Sequence, residues 1–253
     1  MARLRGSKDF WIAALRAEGP VFRAAVAQAD PQAPVPSCPD WTVTNLVHHL
    51  GSIYQWVLGI LAAPPSQRPP RPTVPDGLPD GPAAVDWWQQ QFDQLVSRLD
   101  ELDADAPTWN WAPQPKRAGF WHRRMAHETV VHRWDAQMAT GVSGPIEAKL
   151  AADGISEVLE CWLPAGRRRS PGPRYGLVHL VAADCGQEWF VRLRGEGLAL
   201  LDTGTILDGG ERHARVHASG TASDLLLALW GRVGFDVIEV SGDVTLLEAL
   251  QPG

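Results

Sequence analysis

The sequence has few cysteines, and their arrangement excludes two kinds of site. Its 253 residues include only Cys38, Cys161 and Cys185, with no CxxC pair among them. An odd, dispersed set predicts neither a disulfide framework nor a zinc site built from cysteine thiolates. Such usage is typical of a reducing compartment, so we expect a cytoplasmic location.

Long apolar runs and long basic runs are missing as well. The most apolar stretch, residues 56–63, is far shorter than the roughly 20 residues that cross a membrane as a helix. Near the N-terminus, the apolar run that ends at Arg16 is too short for a signal peptide. The net charge is −6, and the longest basic run is the three arginines at 167–169. We therefore expect no export, and neither a membrane nor a nucleic acid among the partners.

What the chain does contain is enough apolar sequence for a core, since 45% of its residues are hydrophobic. In its first part, apolar residues recur at helical spacing in four segments. These are about 8–30, from Thr42 or Thr44 to near Leu61, 83–104 and 120–140. We expect the Glu-Gly-Pro triplet at 18–20 to interrupt the first, because Gly and Pro disfavour helix. Four long helices predict a helical bundle.

The pattern changes after about residue 145. A fifth helix is predicted at 147–163, and four segments with alternating apolar residues, typical of strands, follow at 176–184, 188–195, 198–203 and 214–220. The remaining segments indicate a helix at 221–232 capped by Thr221 or Ser223, a strand at 235–242 and a closing helix at 243–251. The sequence therefore predicts an α+β protein, with a helical bundle over 1–145 and a small α+β domain over 146–253.

The fourth predicted helix carries candidate metal ligands. In RRMAHETVVHRWDAQ (123–137), Glu128 and His132 lie four residues apart and Asp135 follows three residues later. Residues three or four apart share one face of a helix, so these side chains are neighbours. His127 is rotated by about 100° from Glu128 and is poorly placed to share an ion with His132. This arrangement also excludes the zinc-protease motif, whose two histidines lie one turn apart.

A third ligand is predicted on the second helix. His49 lies among apolar residues and is expected to point into the core, whereas His48 lies on the polar side. A lone histidine on an apolar face is more often a hydrogen-bonded core residue than a ligand. A Glu/His pair on another helix of the bundle favours ligation, because a buried charge needs a partner or a metal. The apolar neighbours of His49 are Leu46, Leu50, Ile53, Trp56, Val57 and Ile60.

Two histidines and one carboxylate leave coordination positions open, as in catalytic rather than structural zinc sites. Iron, nickel or manganese would accept similar ligands. For Asp135, two interpretations stay open: it accepts the other ring N–H of His132 and orients that ring, or it is an ordinary surface residue. Cys38, just before the second helix, is a candidate nucleophile, although a buried or loop cysteine is the more usual interpretation.

Three motifs together resemble the mycothiol-dependent maleylpyruvate isomerase family, an actinobacterial branch of the DinB-like metalloproteins. They are PDWTVTNLVHHL (39–50), RMAHETVVHRWDA (124–136) and ASGTASDLLLALWGR (218–232), the last followed by SGD (241–243). The resemblance implies a DinB-like four-helix bundle followed by a sterol-carrier-like domain. It also implies that His49, Glu128 and His132 hold a divalent metal, with zinc expected.

The resemblance further implies a mechanism. In the family's isomerase the metal keeps the sulfur of mycothiol as a thiolate, which adds to a conjugated double bond, allows rotation and is then eliminated. Related members transfer the thiol to an electrophile. Arg232, at a predicted helix end, is implied as the catalytic residue that reaches a substrate carboxylate; alternatively it satisfies helix-terminal carbonyls.

We therefore expect a mycothiol-dependent isomerase or thiol transferase with a small-molecule substrate, acting as a monomer or weak homodimer. The chain departs from the isomerase at Thr129, Val130 and Arg133, which leaves the maleylpyruvate substrate open but not the metal. Two alternatives are a non-catalytic protein that binds a metal or small ligand, and a structural bundle with a satisfied His–Glu pair and no metal.

Overall fold

The structure, a computed structural model, describes residues 6–167, 169, 172–201 and 214–253. It divides into an N-terminal unit, Gly6–Gly144, and a C-terminal unit, Pro145–Gly253. The described helices of the N-terminal unit are α1 (Lys8–Gln28), α2 (Val43–Ala62), α3 (Pro82–Glu101) and α4 (Gly119–Ala139). Among the described residues, no helix combines the length and apolar character that a membrane crossing requires.

Local sequence explains where these helices begin. The side chain of Ser7 accepts a hydrogen bond from the Phe10 N–H at the start of α1. Of the two predicted caps for α2, Thr42 is the one used, and it forms a reciprocal capping box with Asn45. Such caps satisfy backbone N–H groups that the first helical turn leaves without partners.

The predicted interruption of α1 is wrong, because the helix runs through Gly19 with Pro20 inside it. Proline in a helix interior costs about 3 kcal/mol, so packing has to offset the loss. The helix contacts both α3 and α4, and Gly19 lies directly against the ring of Phe92 on α3. The missing side chain at Gly19 lets the two helices approach closely, and the apolar area that they bury stabilises the continuous helix.

Polar residues occur in the interior of the helical bundle as well as on its surface. On α4, the buried Arg133 donates from Nε to Glu18 Oε2 on α1 at 2.6 Å and from Nη1 to the Gly144 carbonyl at 2.8 Å. Buried charges need such partners. Because buried residues lie on every side of α4, this helix can present polar groups to the interior of the bundle.

The C-terminal unit contains helices and one sheet, which confirms the α+β class. Its described elements are α5 (Ala148–Glu157), β1 (Arg174–Ala182), β2 (Gln187–Gly195), β3 (Gly197–Leu201), β4 (Ala214–Gly220), α6 (Ala222–Leu229), β5 (Glu239–Gly242) and α7 (Thr245–Glu248). The strands form a five-stranded sheet in the order β3-β2-β1-β4-β5, with β1 antiparallel to β2 and parallel to β4. Helices α6 and α7 contact β1 and β4, and the Trp189 indole on β2 donates to Ser156 on α5 at 2.9 Å.

The predicted fifth helix consists of α5 continued by a π-helical turn at Val158–Trp162. Other predicted bounds in this unit are wrong. Residues Phe235–Val237 form a 3₁₀ turn, closed by hydrogen bonds to the Gly234 and Phe235 carbonyls, so only the second half of the predicted strand extends. The closing helix is restricted to α7. The end of the predicted third strand, at 202–203, lies outside the described residues.

The close contact at Gly19 predicts opposite effects for two glycine-to-alanine changes. A Cβ at Gly19 would overlap the buried Phe92 ring, which stacks on Trp88 at a centroid distance of 5.2 Å. We expect Gly19→Ala to lower the free energy of unfolding by about 1–3 kcal/mol through overpacking. Urea unfolding followed by circular dichroism measures the change.

Gly59 provides the matched control for this experiment. It is also inside a helix, but it is exposed and a Cβ there meets no atom within 4 Å. Gly59→Ala should therefore raise the free energy of unfolding by up to about 1 kcal/mol. Equal effects of the two changes would contradict the assigned packing.

Candidate metal centre

Helices α2 and α4 bring together His49, Glu128 and His132. The Nε2 atoms of His49 and His132 each lie 3.4 Å from Glu128 Oε1. One potential ligand atom from each of the three side chains lies within 4.8 Å of the others. Glu128 and His132 meet because four residues make about one helical turn. The structure thus unites the three residues singled out from the sequence, and their role as metal ligands stays a prediction.

The three side chains differ in their access to solvent. The side chain of His132 is 8% exposed, that of Glu128 15% and that of His49 26%. His49 turns towards α4, as expected, but it is only partly buried and lies on the side of the cluster that is open to solvent. Its neighbour His48 faces away, with Nε2 2.8 Å from the Pro79 carbonyl oxygen. The cluster consequently has one open side, next to His49.

Asp135 orients His132. It is fully buried, and its Oδ2 accepts a hydrogen bond from His132 Nδ1–H at 2.8 Å. Ser37 donates its hydroxyl to Oδ1 at 2.6 Å, and the buried Cys38 thiol donates to Oδ2 at 3.5 Å. The interpretation of Asp135 as a surface residue is thus wrong. In the neutral His132 ring, with its proton on Nδ1, the Nε2 lone pair faces Glu128; in the protonated ring, Nε2–H donates to Glu128 Oε1.

Arg124 occupies the other side of Glu128. Its buried guanidinium donates to Glu128 Oε2 at 2.6 Å, which leaves Oε1 towards the two histidines. Burial acts to raise the pKa of Glu128, but the charge of Arg124 and hydrogen bonds from His132 and His49 outweigh it. The pKa of this carboxyl is therefore well below its usual range. Glu128 is ionised at neutral pH.

His132 is affected in the opposite sense. Burial acts to lower its pKa, but hydrogen bonds to Asp135 and Glu128 and their negative charges outweigh burial, so the pKa of His132 is raised. Without a metal, the cluster therefore retains a proton on His132 more strongly than an exposed histidine would.

Trp41 forms an aromatic wall beside the cluster. Its ring lies 4.7 Å from that of His49 and 6.3 Å from that of His132, measured between centroids. Sequence reasoning missed Trp41, Ser37 and Arg124 as parts of the site. The position of Arg124 four residues before Glu128 was an available signal, since such pairs meet on a helix. The two residues before α2 had no comparable signal, because only tertiary packing brings them to α4.

Two family models together match most of the chain. The first is described as the mycothiol maleylpyruvate isomerase N-terminal domain and matches residues 12–137. The second is described as the MDMPI C-terminal domain and matches residues 149–249. The chain belongs to the mycothiol maleylpyruvate isomerase family.

Solved structures show the same fold at low sequence identity. The crystal structure of the mycothiol-dependent maleylpyruvate isomerase is 14% identical and superposes with a TM-score of 0.63. A histidine-to-alanine mutant of that enzyme is 13% identical, with a TM-score of 0.66. Each comparison covers 100% of this chain and 99% of the other. No curated protein matches the sequence.

Arg232, the catalytic residue expected from resemblance to the mycothiol maleylpyruvate isomerase family, lies just beyond α6. Its Nη1 donates to the Trp230 carbonyl oxygen at 3.1 Å. This is the contact expected if the arginine satisfies the carbonyls at the helix end. A catalytic role for Arg232 stays a prediction.

The contacts of Asp135 predict how His132 titrates in metal-free protein. Asp135→Asn removes the negative charge beside Nδ1, so we expect the pKa of His132 to fall. NMR titration of the histidine ring resonances measures it. Ser37→Ala is the matched control, because it removes a hydrogen bond to Asp135 but keeps the carboxylate. An unchanged pKa in Asp135→Asn would contradict the assigned role.

The same change predicts a pH dependence of stability. Because the pKa of His132 is raised on folding, its protonation stabilises the fold fully below the unfolded value of about 6.5. That contribution is lost as pH rises through the folded-state pKa. The difference in unfolding free energy between wild type and Asp135→Asn should therefore narrow as pH rises. Urea unfolding, measured from below the unfolded pKa of His132 to above its folded-state pKa, tests this prediction. A difference in unfolding free energy that widens as pH rises would contradict it.

Proposed function

We propose that this protein is a metal-dependent enzyme that uses mycothiol to isomerise, or to attach the thiol to, a small electrophilic substrate. Membership of the mycothiol maleylpyruvate isomerase family supports the thiol and the reaction class. The observation that carries the metal is the convergence of His49 Nε2 and His132 Nε2 on Glu128 Oε1. We expect zinc as the ion.

The chemistry of these residues fits such an ion. Nitrogen and oxygen ligands at about 2.0–2.2 Å from zinc lie roughly 3–3.5 Å from one another. The two nitrogen-to-oxygen distances of 3.4 Å fall within this range. Three protein ligands leave a fourth position for a substrate atom, as in catalytic zinc sites. The bond from His132 Nδ1–H to Asp135 is the carboxylate contact that commonly orients a metal-binding imidazole.

A divalent ion held by His49, Glu128 and His132 would supply a Lewis acid that keeps a thiol ionised at neutral pH. The protein's own residues prepare the position. Arg124 holds Glu128 ionised and directs Oε1 to the histidines. Asp135 holds the His132 ring with Nε2 available.

His49 and Trp41 account for the access of substrates to the site and for the exclusion of water. The partly exposed His49 marks the side from which a thiol and an electrophile approach. Trp41 lies beside both histidine rings, and an apolar wall strengthens electrostatic interactions by limiting water. We propose that the thiolate adds to an electrophilic carbon here. In an isomerisation it then leaves after bond rotation, and in a transfer it stays attached.

The substrate is proposed as a small electrophile, with carboxylate-bearing compounds as the first candidates. Thr129, Val130 and Arg133 differ from the isomerase pattern, which supports testing acceptors besides maleylpyruvate. Thr129 and Val130 are fully buried and Arg133 is bound to Glu18. Arg232 is the proposed contact for a carboxylate. Arg232→Gln should then raise KM for carboxylate-bearing electrophiles more than for neutral ones.

Metal retention tests the ligand assignment. After dialysis against a weak chelator, we expect wild type to retain one tightly bound ion and His132→Ala or His49→Ala to lose it, because each removes one of three ligands. Elemental analysis of the purified proteins provides the measurement. His48→Ala is the matched control, because His48 adjoins His49 but bonds to the Pro79 carbonyl. Full occupancy in both ligand variants would overturn the assignment.

Turnover separates an enzyme from a binding protein. Zinc-loaded protein, incubated with mycothiol and a panel of electrophiles including maleylpyruvate, should consume thiol or isomerise the substrate. Glu128→Gln, which removes the charge at Oε1, should reduce the rate by at least about tenfold, as expected for loss of an electrostatic group at a reacting centre. Binding of mycothiol or an electrophile without turnover would instead support the non-catalytic alternative.

A further inference from the structure

A second group of histidines lies on the sheet of the C-terminal unit, apart from the residues above. Val178 and Val216 on β1 and β4 are buried, so the residues that follow them, His179 and His217, face the opposite side of the sheet. The parallel register pairs His179 directly with His217. Paired residues on adjacent strands have side chains close enough to interact. The sheet therefore holds the two imidazole rings side by side on adjacent, hydrogen-bonded strands.

The two histidine rings approach each other through their Nδ1 atoms. His179 Nδ1 and His217 Nδ1 lie 3.1 Å apart. The other ring nitrogen of His179, Nε2, lies 2.9 Å from Glu188 Oε2 on β2. Phe190, the β2 partner of His179, stacks on its ring with a centroid distance of 4.1 Å and an angle of 13°. Phe190 and Glu188 together fix the plane and rotation of the His179 ring.

These contacts determine which nitrogens carry protons. A carboxylate only accepts hydrogen bonds, so His179 donates Nε2–H to Glu188. In the neutral ring Nδ1 then bears a lone pair, and it accepts the Nδ1–H of His217. If His217 instead carries its proton on Nε2, both Nδ1 lone pairs face the same space. The proton moves from Nδ1 to Nε2 through solvent, with no net change in protonation.

We propose that His179 and His217 bind a divalent transition-metal ion through their Nδ1 atoms, with Glu188 orienting His179. Imidazole nitrogens suit zinc, copper and nickel, and zinc–nitrogen bonds are about 2.0–2.1 Å long. Two nitrogens bound to one ion at that length are roughly 3 Å apart, which is the separation found here. Glu188 occupies the place of the carboxylate that commonly supports a metal-binding histidine.

The surroundings leave room for the remaining ligands. The histidines line an open cleft with a volume of about 430 Å³ that also contains Ser241 and Arg215. Ser241 is paired with His217 across β4 and β5, so water or its hydroxyl completes the coordination. Arg215 adds a positive charge that opposes a cation, and the negative charge of Glu188 offsets it. With two protein ligands, this site is weaker than one with three.

An anion site is the less suitable interpretation of the same cleft. The proton that His179 would donate to an anion is already given to Glu188. The two Nδ1 atoms face each other across 3.1 Å, and two N–H groups directed at one another at that distance would repel. The neutral pair therefore favours an electron-pair acceptor.

Zinc titration of chelator-treated protein, followed by isothermal calorimetry, tests the proposal. We expect wild type to show a weaker site besides the tight one. His217→Ala should remove only the weaker site, and Glu188→Gln should weaken it by about 10- to 100-fold. Ser219→Ala, on the same strand and the same face, is the matched control and should change neither. Because His49→Ala and His132→Ala affect only the tight site, failure of either metal assignment is recognised separately.

NMR provides a second readout that does not depend on counting sites. Zinc at the weaker site should shift the Nδ1 resonances of His179 and His217, and His217 should change to the Nε2–H tautomer. His217→Asn, which keeps a polar side chain on the strand, replaces His217→Ala if thermal unfolding shows that the alanine variant is destabilised. A weaker site that persists in these variants, or unchanged resonances of both histidines under saturating zinc, would overturn the proposal.

Discussion

An ionised carboxylate enclosed by protein is the constraint on which the candidate metal centre depends. Taking the charge of Glu128 out of water costs free energy unless partners replace the lost hydration. Arg124 holds one oxygen, and His49 and His132 face the other. The need for buried partners extends beyond Glu128, because His132 is itself hydrogen-bonded to the buried Asp135. The buried polar network thus determines how α2, α4 and the segment before α2 must meet.

The spacing rules of helices predicted part of this arrangement and could not predict the rest. Glu128 and His132 lie on one helix, so their proximity follows from 3.6 residues per turn. His49 could be chosen over His48 because apolar neighbours distinguish the two faces of α2. Its partial exposure was not predictable, since exposure depends on how closely other elements cover that end of the helix. The burial of Asp135 was not predictable either, because its partner Ser37 comes from the segment before α2.

The fold shows the same division between local and tertiary causes. Alternating apolar residues predicted the strands around His179 and His217. Their pairing was not predictable in this way, because β1 and β4 are parallel neighbours that the chain joins only after forming β2 and β3. At Gly19 and Pro20 a local rule predicted a break, but packing against Phe92 required a close approach of two helices. Local propensity is a weak guide where tertiary contacts are this close.

The ion pair between Arg124 and Glu128 has a consequence for the kind of ligand that the site prefers. Arg124 and Glu128 carry opposite charges, and Asp135 adds one negative charge behind His132. A divalent ion beside them would therefore keep a net charge of about +1 at close range, in surroundings where charges are poorly screened. An anion entering from the side of His49 cancels that charge, whereas a neutral molecule does not. With the proposed ion bound, charge balance would therefore favour a thiolate over a neutral alcohol or water molecule at this position.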